Sequence, residues 1–266
     1  LMSTPQEIPP VSLAVISFNE EARIAECLAS VSELVREIVV VDSGSADRTV
    51  AIAQEAGARV IHQPWLGYRD QKQKALEACT QPWVLMLDSD EELSPGLRTS
   101  LAAFFSSGDA KWFHGARFNR CTRFLGRWIR HGDWYPDTQL RLVRREEAVM
   151  AGGSTHERLE VRGGVKHLRG DLLHDSFPTL ASYLSKIHPY SAAFLETRKE
   201  QGRRWSLAGN LLRPLWRFLR AYLLRLGFLD GFPGFWIAYG TAFSVFYRYS
   251  LQYEEEVRGK AEKLKN

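Results

Sequence analysis

The chain is poor in cysteine: Cys27, Cys79 and Cys121 are the only three in 266 residues. They are far apart, odd in number and form no Cys-x-x-Cys pair. That pattern excludes a zinc ribbon and a disulfide framework, and it fits a reducing compartment. Glycine-rich phosphate loops are also missing. No Gly-x-Gly-x-x-Gly follows the first predicted strand and no Gly-x-x-x-x-Gly-Lys-Ser/Thr occurs, so neither a dinucleotide fingerprint nor a P-loop is available. Residues 1–10 are polar and proline-containing, with no positively charged start followed by an apolar run. They do not read as a secretory signal and are expected to be disordered. There is no internal repeat, no low-complexity tract and no RNA- or DNA-binding motif, so nucleic acid is not an expected partner.

What remains is ample for a core. Hydrophobic residues make up 45% and aromatic residues 12% of the chain, which argues against disorder. The length suits one sizeable α/β domain with a modest extension. The net charge is only +4, but basic residues crowd Arg117–Arg145 and Arg203–Arg225, which suits anionic partners.

The first third alternates short apolar runs with helical patterns. Val11–Ser17, Glu37–Val41, Arg59–His62 and Trp83–Leu87 read as strands. Ala22–Leu34, Asp47–Ala56 and Asp70–Cys79 read as helices. Near-continuous apolar strands separated by helices predict a mostly parallel, Rossmann-like sheet with helices on both faces. Ligands of such sheets bind beyond the carboxyl ends of the strands. Three strand ends are polar or acidic there: Asn19/Glu20, Asp42 and Asp88/Asp90. Strand and loop alternation continues through Trp112–Leu173, and the chain reads as helical from Thr179. The expected organisation is a catalytic domain over 11–178, with a nucleotide-binding half at 11–95 and an acceptor half at 96–178, then a helical region over 179–266.

Asp88-Ser89-Asp90 is the sharpest local signal. Two carboxylates one residue apart, just past a buried strand, can face a hard divalent cation such as Mg2+ or Mn2+ and bridge it to phosphate oxygens. An acidic turn capping the next helix would look similar, and Asp-x-Asp alone is common; its position after Trp83–Leu87 favours the metal. With no glycine-rich loop, a metal is expected to hold the phosphates, helped by Lys72, Lys74 or arginines. Asp42 can accept a hydrogen bond from a base or a ribose hydroxyl, whereas Asp47 and Ser45 are explained by helix capping.

The order Ser17-Phe18-Asn19-Glu20-Glu21, VVVDSGSADRT, WLGYRDQKQKAL and LMLDSDE resembles the family 2 inverting glycosyltransferases with a GT-A fold. It is most similar to bacterial lipopolysaccharide inner-core β-1,4-glucosyltransferases. WYPDTQLRLVRR, the STHE and LLHDSF segments and GFLDGFPGFWIAYGTAFSVFYRYS extend the likeness over nearly the whole chain; Gln73 departs from it, where similar proteins often carry Asn. The resemblance implies that Ser17, Asn19, Glu20 and Asp42 hold the uridine of a UDP-sugar donor. It implies Lys72 near the base or diphosphate, Asp88 with Ser89 at the ribose or a metal-bound water, and Asp90 with His174 on the metal. Glu157 would be the general base. Inversion in one displacement needs one such base and charge stabilisation on the leaving diphosphate. A surface salt bridge would equally account for Glu157, and a satisfied core histidine for His174. Asp133 and Asp137 are rival bases, because GDWYPD, with Trp134, would line an acceptor pocket. His156 would orient its neighbour or bind acceptor, and Arg141 and Arg144 could bind diphosphate or an anionic acceptor.

In the last third, Leu211, Leu215, Leu219, Tyr222, Leu223 and Leu226 recur at helical spacing, with Arg213, Arg217 and Arg220 on another face. This reads as a basic amphipathic helix for an anionic membrane interface; a domain-packing helix has the same pattern. Gly231–Tyr247 is uncharged and aromatic but interrupted by Pro233, Gly234 and Gly240. A monotopic, hairpin-like anchor is therefore expected rather than a span. These readings point to a peripheral or monotopic glycosyltransferase on the cytoplasmic face of the bacterial inner membrane. It would move glucose from UDP-glucose to a heptose of a lipid A-core acceptor. A polyprenyl-phosphate acceptor and a non-catalytic nucleotide-binding membrane scaffold are the alternatives.

Overall fold

The computed structural model describes residues 8–153, 157–177 and 179–263. The chain folds as two compact units. One comprises the chain up to Arg120 plus Asp137–His174, and the other Cys121–Pro136 plus the chain from Asp175. The segment 121–136, which the sequence boundaries grouped with the acceptor half, thus falls in the second unit.

The first unit is built on β1 (Val11–Ser17), α1 (Ile24–Ala29), β2 (Glu37–Asp42), α2 (Thr49–Glu55), β3 (Arg59–His62), α3 (Tyr68–Ala78) and β4 (Trp83–Asp88). Next come β5 (Glu91–Leu93), α4 (Pro95–Ser106), β6 (Gly115–Phe124), β7 (Arg127–Trp128), β8 (Asp137–Arg144), β9 (Ala148–Ala151), β10 (Arg158–Val161) and β11 (Val165–Phe177). The main sheet runs β3-β2-β1-β4-β8-β6-β11-β5, with β7 on β6; β9 and β10 form a separate ribbon. The first four strands are parallel, as the alternation of elements predicts. β8 then pairs antiparallel with β4 and β6, and β5 pairs antiparallel with β11. The sheet is therefore mixed, and its antiparallel half brings late-sequence residues to the ends of the parallel strands.

Alternation of side chains explains the layers. Leu13, Val15, Leu85 and Leu87 pack on Ile24, Leu28, Ala53, Leu97 and Phe104 on one face. Ala14, Val39, Val41, Val84 and Met86 pack on Ala75, Leu76 and Cys79 on the other. Helix α1 is shorter than its apolar spacing predicts. Ser30 and Ser32 turn their hydroxyls onto the carbonyls of Cys27 and Ala29, a local alternative to helix, while Val31 and Leu34 stay buried in the turns that follow. All three cysteines are buried and none is in a disulfide.

The second unit holds the end of β6, β7, and helices α5 (Leu180–Glu200), α6 (Leu207–Leu219) and α7 (Gly231–Lys263). The β6–β7 hairpin turns through Leu125 and Gly126, both at positive φ, which matches the twist of the flanking strands. Phe124, Ile129, Tyr183, Ile187 and Ile237 form its core, with Trp134 packed against them. Asp230 is buried and accepts the backbone N–H groups of Arg130 and His131 at 3.0 and 2.8 Å.

Two expectations change here. Gly231–Tyr247 is no hairpin: it is the first half of one continuous helix. Pro233 lies in the first turn, where its missing N–H breaks no bond, and Gly240 makes room for a partner, since a Cβ there would come within 2.7 Å of the Tyr183 hydroxyl. Among the described residues no helix is long and apolar enough to cross a membrane. The arginines of α6 and of the turn after it do not present a free basic face either. Arg217 and Arg220 are ion-paired with Asp133, and Arg213 lies over the Tyr249 ring at 4.8 Å.

Candidate functional site

The strand register puts the polar strand ends side by side. Ser17 is level with Asp42 across β1 and β2, and Ile16 with Asp88 across β1 and β4. Asp42 is 2% exposed. Its carboxylate accepts from the Ser17 and Ser45 hydroxyls at 3.0 and 2.5 Å and from the Gly44 and Ser45 amides at 2.8 Å. Burial pushes its pKa up, but these bonds outweigh burial and hold the carboxyl below its ordinary value. Asp42 therefore shapes the 43–45 loop. Asn19, at positive φ, closes on the same loop: its amide donates to the Ser45 hydroxyl and its side-chain oxygen accepts from the Ala46 amide, both at 2.9 Å. Glu20 lies in the turn before α1, its carbonyl accepting from the Arg23 and Ile24 amides, and burial with Asp90 nearby raises its pKa.

Asp88, at the end of β4, is held by two cations. Lys72 Nζ lies 2.8 Å from one oxygen and an Arg141 nitrogen 2.8 Å from the other. Arg141 also reaches Glu91 at 2.6 Å, and the Asp88 amide donates to the other Glu91 oxygen at 3.1 Å. Burial penalises the Asp88 carboxylate, yet Arg141 and Lys72 keep it well below the usual range. Burial likewise penalises the Arg141 guanidinium, and Asp88 with Glu91 more than restores its charge. Lys72, Arg141, Asp88 and Glu91, with Glu157 on Lys72 and Arg120 on Glu91, thus form a set in which each desolvated ion has an opposite partner. Arg141 Nε is buried without an acceptor among the described residues.

Asp90 follows one residue later, after the buried Ser89. Its Oδ2 is 3.3 Å from His174 Nε2 and 3.7 Å from an Arg23 nitrogen. Burial raises the Asp90 pKa and the His174 hydrogen bond overcomes it, so the carboxyl stays low. The long gap in sequence between Asp90 and His174 is closed by one register: β11 pairs with β5 so that His174 stands opposite Glu91. Glu157 comes within 3.3 Å of Lys72, which therefore touches both Asp88 and Glu157. Cys27 lies beneath the turn and donates to the Asp88 carbonyl at 3.5 Å; burial among these carboxylates pushes its thiol pKa well up.

Asp88, Ser89, Asp90, Lys72, Arg141, Glu157 and His174 therefore cluster in the first unit. The acceptor candidates divide. Asp137, also in the first unit, is paired with Arg120 at 2.7 Å. Asp133 and Trp134 belong to the second unit. There Asp133 is 3% exposed and ion-paired with Arg217, Arg220 and Arg225 at 2.9, 2.7 and 3.5 Å, and Trp134 packs on Phe124 and Tyr183. Arg144 donates to the Ala110 carbonyl and lies over Trp83. His156 lies outside the described residues. Gln73 ties α3 to β9 by accepting from the Met150 amide at 2.9 Å.

Glu91 and Arg23 are the residues that sequence reasoning passed over. The only sequence signal for Glu91 was its two-residue spacing from Leu93, which in the structure gives a three-residue strand with both side chains buried.

The family model for glycosyl transferase family 2 matches residues 12–167. A lipopolysaccharide core biosynthesis glycosyltransferase, LpsC, of Rhizobium meliloti is 33% identical over 257 residues, covering 91% of this chain and 94% of the relative. An uncharacterized glycosyltransferase of Rickettsia felis is 30% identical over 274 residues, covering 94% and 92%. Among solved structures, glucosyl-3-phosphoglycerate synthase of Mycobacterium tuberculosis, in complex with Mn2+, UDP and phosphoglyceric acid, superposes with a TM-score of 0.39 at 24% identity. That overlap covers 51% of this chain and 56% of the synthase.

Proposed function

The chain belongs to glycosyl transferase family 2 and has its GT-A fold, and on that premise we propose that it moves glucose from UDP-glucose, with inversion, onto a heptose of the lipopolysaccharide inner core. The acceptor class rests on the kinship with the lipopolysaccharide core enzyme, and implies work at the cytoplasmic face of the inner membrane. The donor side rests on one observation: Asp90 and His174 meet 3.3 Å apart, beside an Asp88 already neutralised by Lys72 and Arg141.

That donor set fits a divalent cation. One carboxylate and one imidazole leave most coordination positions for diphosphate oxygens and water, the habit of Mg2+ and Mn2+ in nucleotide sites. Among the described residues no group of three or more such side chains converges, so the diphosphate itself would complete the shell. When bound, the cation supplies positive charge to the departing diphosphate.

The protein's own groups do the rest. The 43–45 loop, held by Asp42 and Asn19, forms the floor for uridine. Lys72 and Arg141 fix Asp88, with Ser89, against the ribose end of the donor. Glu157 takes the proton from the acceptor hydroxyl as the new bond to the anomeric carbon forms. The bond to the diphosphate breaks, and its electron pair leaves with UDP. Glu157 shares Lys72 with Asp88 at 3.3 Å, a looser hold than Arg120 on Asp137 at 2.7 Å or the three arginines on Asp133, which favours Glu157 as the base.

UDP release from UDP-glucose, measured with lipopolysaccharide from core-truncated strains, tests the reading. Turnover is expected only with a divalent cation and a heptose-terminated acceptor. Metal-independent turnover or a fully active Asp90→Ala would overturn it.

A further inference from the structure

Helix α6 is amphipathic the wrong way round for a helix facing water. Its polar side, with the turn just after it, is engaged by groups of the second unit, its arginines staying partly exposed. Asn210 donates to the Ser250 hydroxyl at 3.3 Å, Arg213 stacks over Tyr249, and Arg217 and Arg220 close on Asp133. Its apolar side points out: Leu207, Leu211, Leu212, Leu215, Trp216 and Leu219 are all exposed, Leu212 at 62%. A soluble surface helix shows the reverse polarity. The outward strip continues beyond α6 through Leu223 and Leu224. It passes along α7 as Phe232, Phe235, Tyr239, Phe243 and Phe246, spaced three or four residues apart and all exposed. Phe218, Tyr222 and Phe235 join the two helices in one run of aromatic contacts. Exposed apolar area on this scale marks a surface that is covered in use.

Charge says by what. Between Trp205 and Tyr247 the only charged residues are four arginines and Asp230, and Asp230 is buried. Even with Asp133 counted, one carboxylate answers Arg217, Arg220 and Arg225. The apolar strip is thus backed by surplus positive charge and has no exposed acid. A second copy would bring the same surplus to the same face and repel it. An anionic lipid surface complements both features.

We propose that the exposed leucine and aromatic strip of α6 and α7 inserts into the interface of an anionic bilayer. The arginines, tethered to Asp133 and Tyr249 yet partly exposed, supply fixed positive charge beside the strip, and the apolar side chains are the primary grip. The strip lies flat and does not span, consistent with the absence of a spanning helix among the described residues. This inference does not depend on the sugar-transfer reading, because its readout is binding.

The test is co-sedimentation of the full chain with vesicles of phosphatidylethanolamine and phosphatidylglycerol, against phosphatidylcholine alone, in low and high salt. The wild type is expected to pellet with the anionic vesicles and to stay bound in high salt with only a severalfold loss. The triple change Leu212→Gln, Trp216→Gln and Leu223→Gln should weaken partitioning on the order of a hundredfold, from the apolar area withdrawn. All three side chains are exposed, so circular dichroism should stay the same. As a second measure, lipids brominated in the acyl chains should quench wild-type fluorescence, and Trp216→Phe should quench less. Three outcomes overturn the proposal: no pelleting with either vesicle, binding abolished by salt and untouched by the triple change, or a discrete dimer that the triple change converts to monomer without any vesicle binding.

Discussion

The two units use the same ions to opposite ends. In the first, Lys72 and Arg141 bridge Asp88, Glu91 and Glu157, and the paired set fixes the turn that carries Asp90. In the second, three arginines share Asp133, and the imbalance lies under a helix whose outer face is apolar. A fully paired network makes a rigid platform for a ligand that brings its own charge. An unbalanced one, tethered to a single buried carboxylate, leaves surplus positive charge beside an apolar face. The lesson is that a run of arginines in a sequence does not tell which way it faces.

That contrast can be broken at several points. Asp90→Ala should lower UDP release by about a thousandfold or more, since it removes charge stabilisation at the leaving group. Activity within tenfold of wild type would show that the first unit's acidic turn is only structural. Glu157→Gln should cost about 10²–10⁴-fold in kcat with an unchanged circular dichroism spectrum, the range for losing a general base. A silent Glu157→Gln would point instead to a phosphate acceptor, which needs no protein base. Asp133→Asn removes the one carboxylate shared by three guanidiniums. It should destabilise the second unit by about 1–3 kcal/mol, read by denaturant unfolding, since the carboxylate is buried while the guanidiniums that lose it are partly solvated. A loss under about 0.5 kcal/mol would mean that Asp133 does not hold the arginines in place, and the inverted-helix picture would fail.

The smallest effect concerns the opposite edge of the first unit. Glu37 bonds Arg59 at 2.8 Å, the Thr80 amide at 2.8 Å and the Ser12 hydroxyl. Burial raises its pKa, but these partners, Arg59 foremost, hold it at about 2 against an ordinary 4.5. A depressed carboxyl contributes stability above its unfolded pKa and loses it as pH falls through the folded one. Glu37→Gln should therefore cost about 1–2 kcal/mol at neutral pH, with the gap closing between roughly pH 4.5 and 2. A pH-independent difference would assign the effect to packing.

Much of the candidate site was legible because it is local. Apolar runs ending in Asp42 and Asp88 announce parallel strands with acidic ends, and the register makes them neighbours. His174 was available only through resemblance, because the β5–β11 pairing that delivers it is long-range. Glu91 was missed for a related reason. A three-residue strand carries too little period to separate it from an acidic turn, and its burial depends on Arg141, fifty residues away. The leucine periodicity of α6 was legible too, but periodicity gives two faces and not which one is inside. Only the partners Asp133, Tyr249 and Ser250 decide that.

The buried cysteines offer a clock for each unit. Burial pushes the Cys79 thiol to about 12 and that of Cys27 well up, and Cys121 has no exposed surface. At neutral pH an alkylating reagent therefore waits for the protein to open around each sulfur. Cys27 and Cys79 record openings of the first unit, and Cys121 those of the second. Mass spectrometry of a timed labelling course, run with and without vesicles or donor, would show which unit each ligand holds shut.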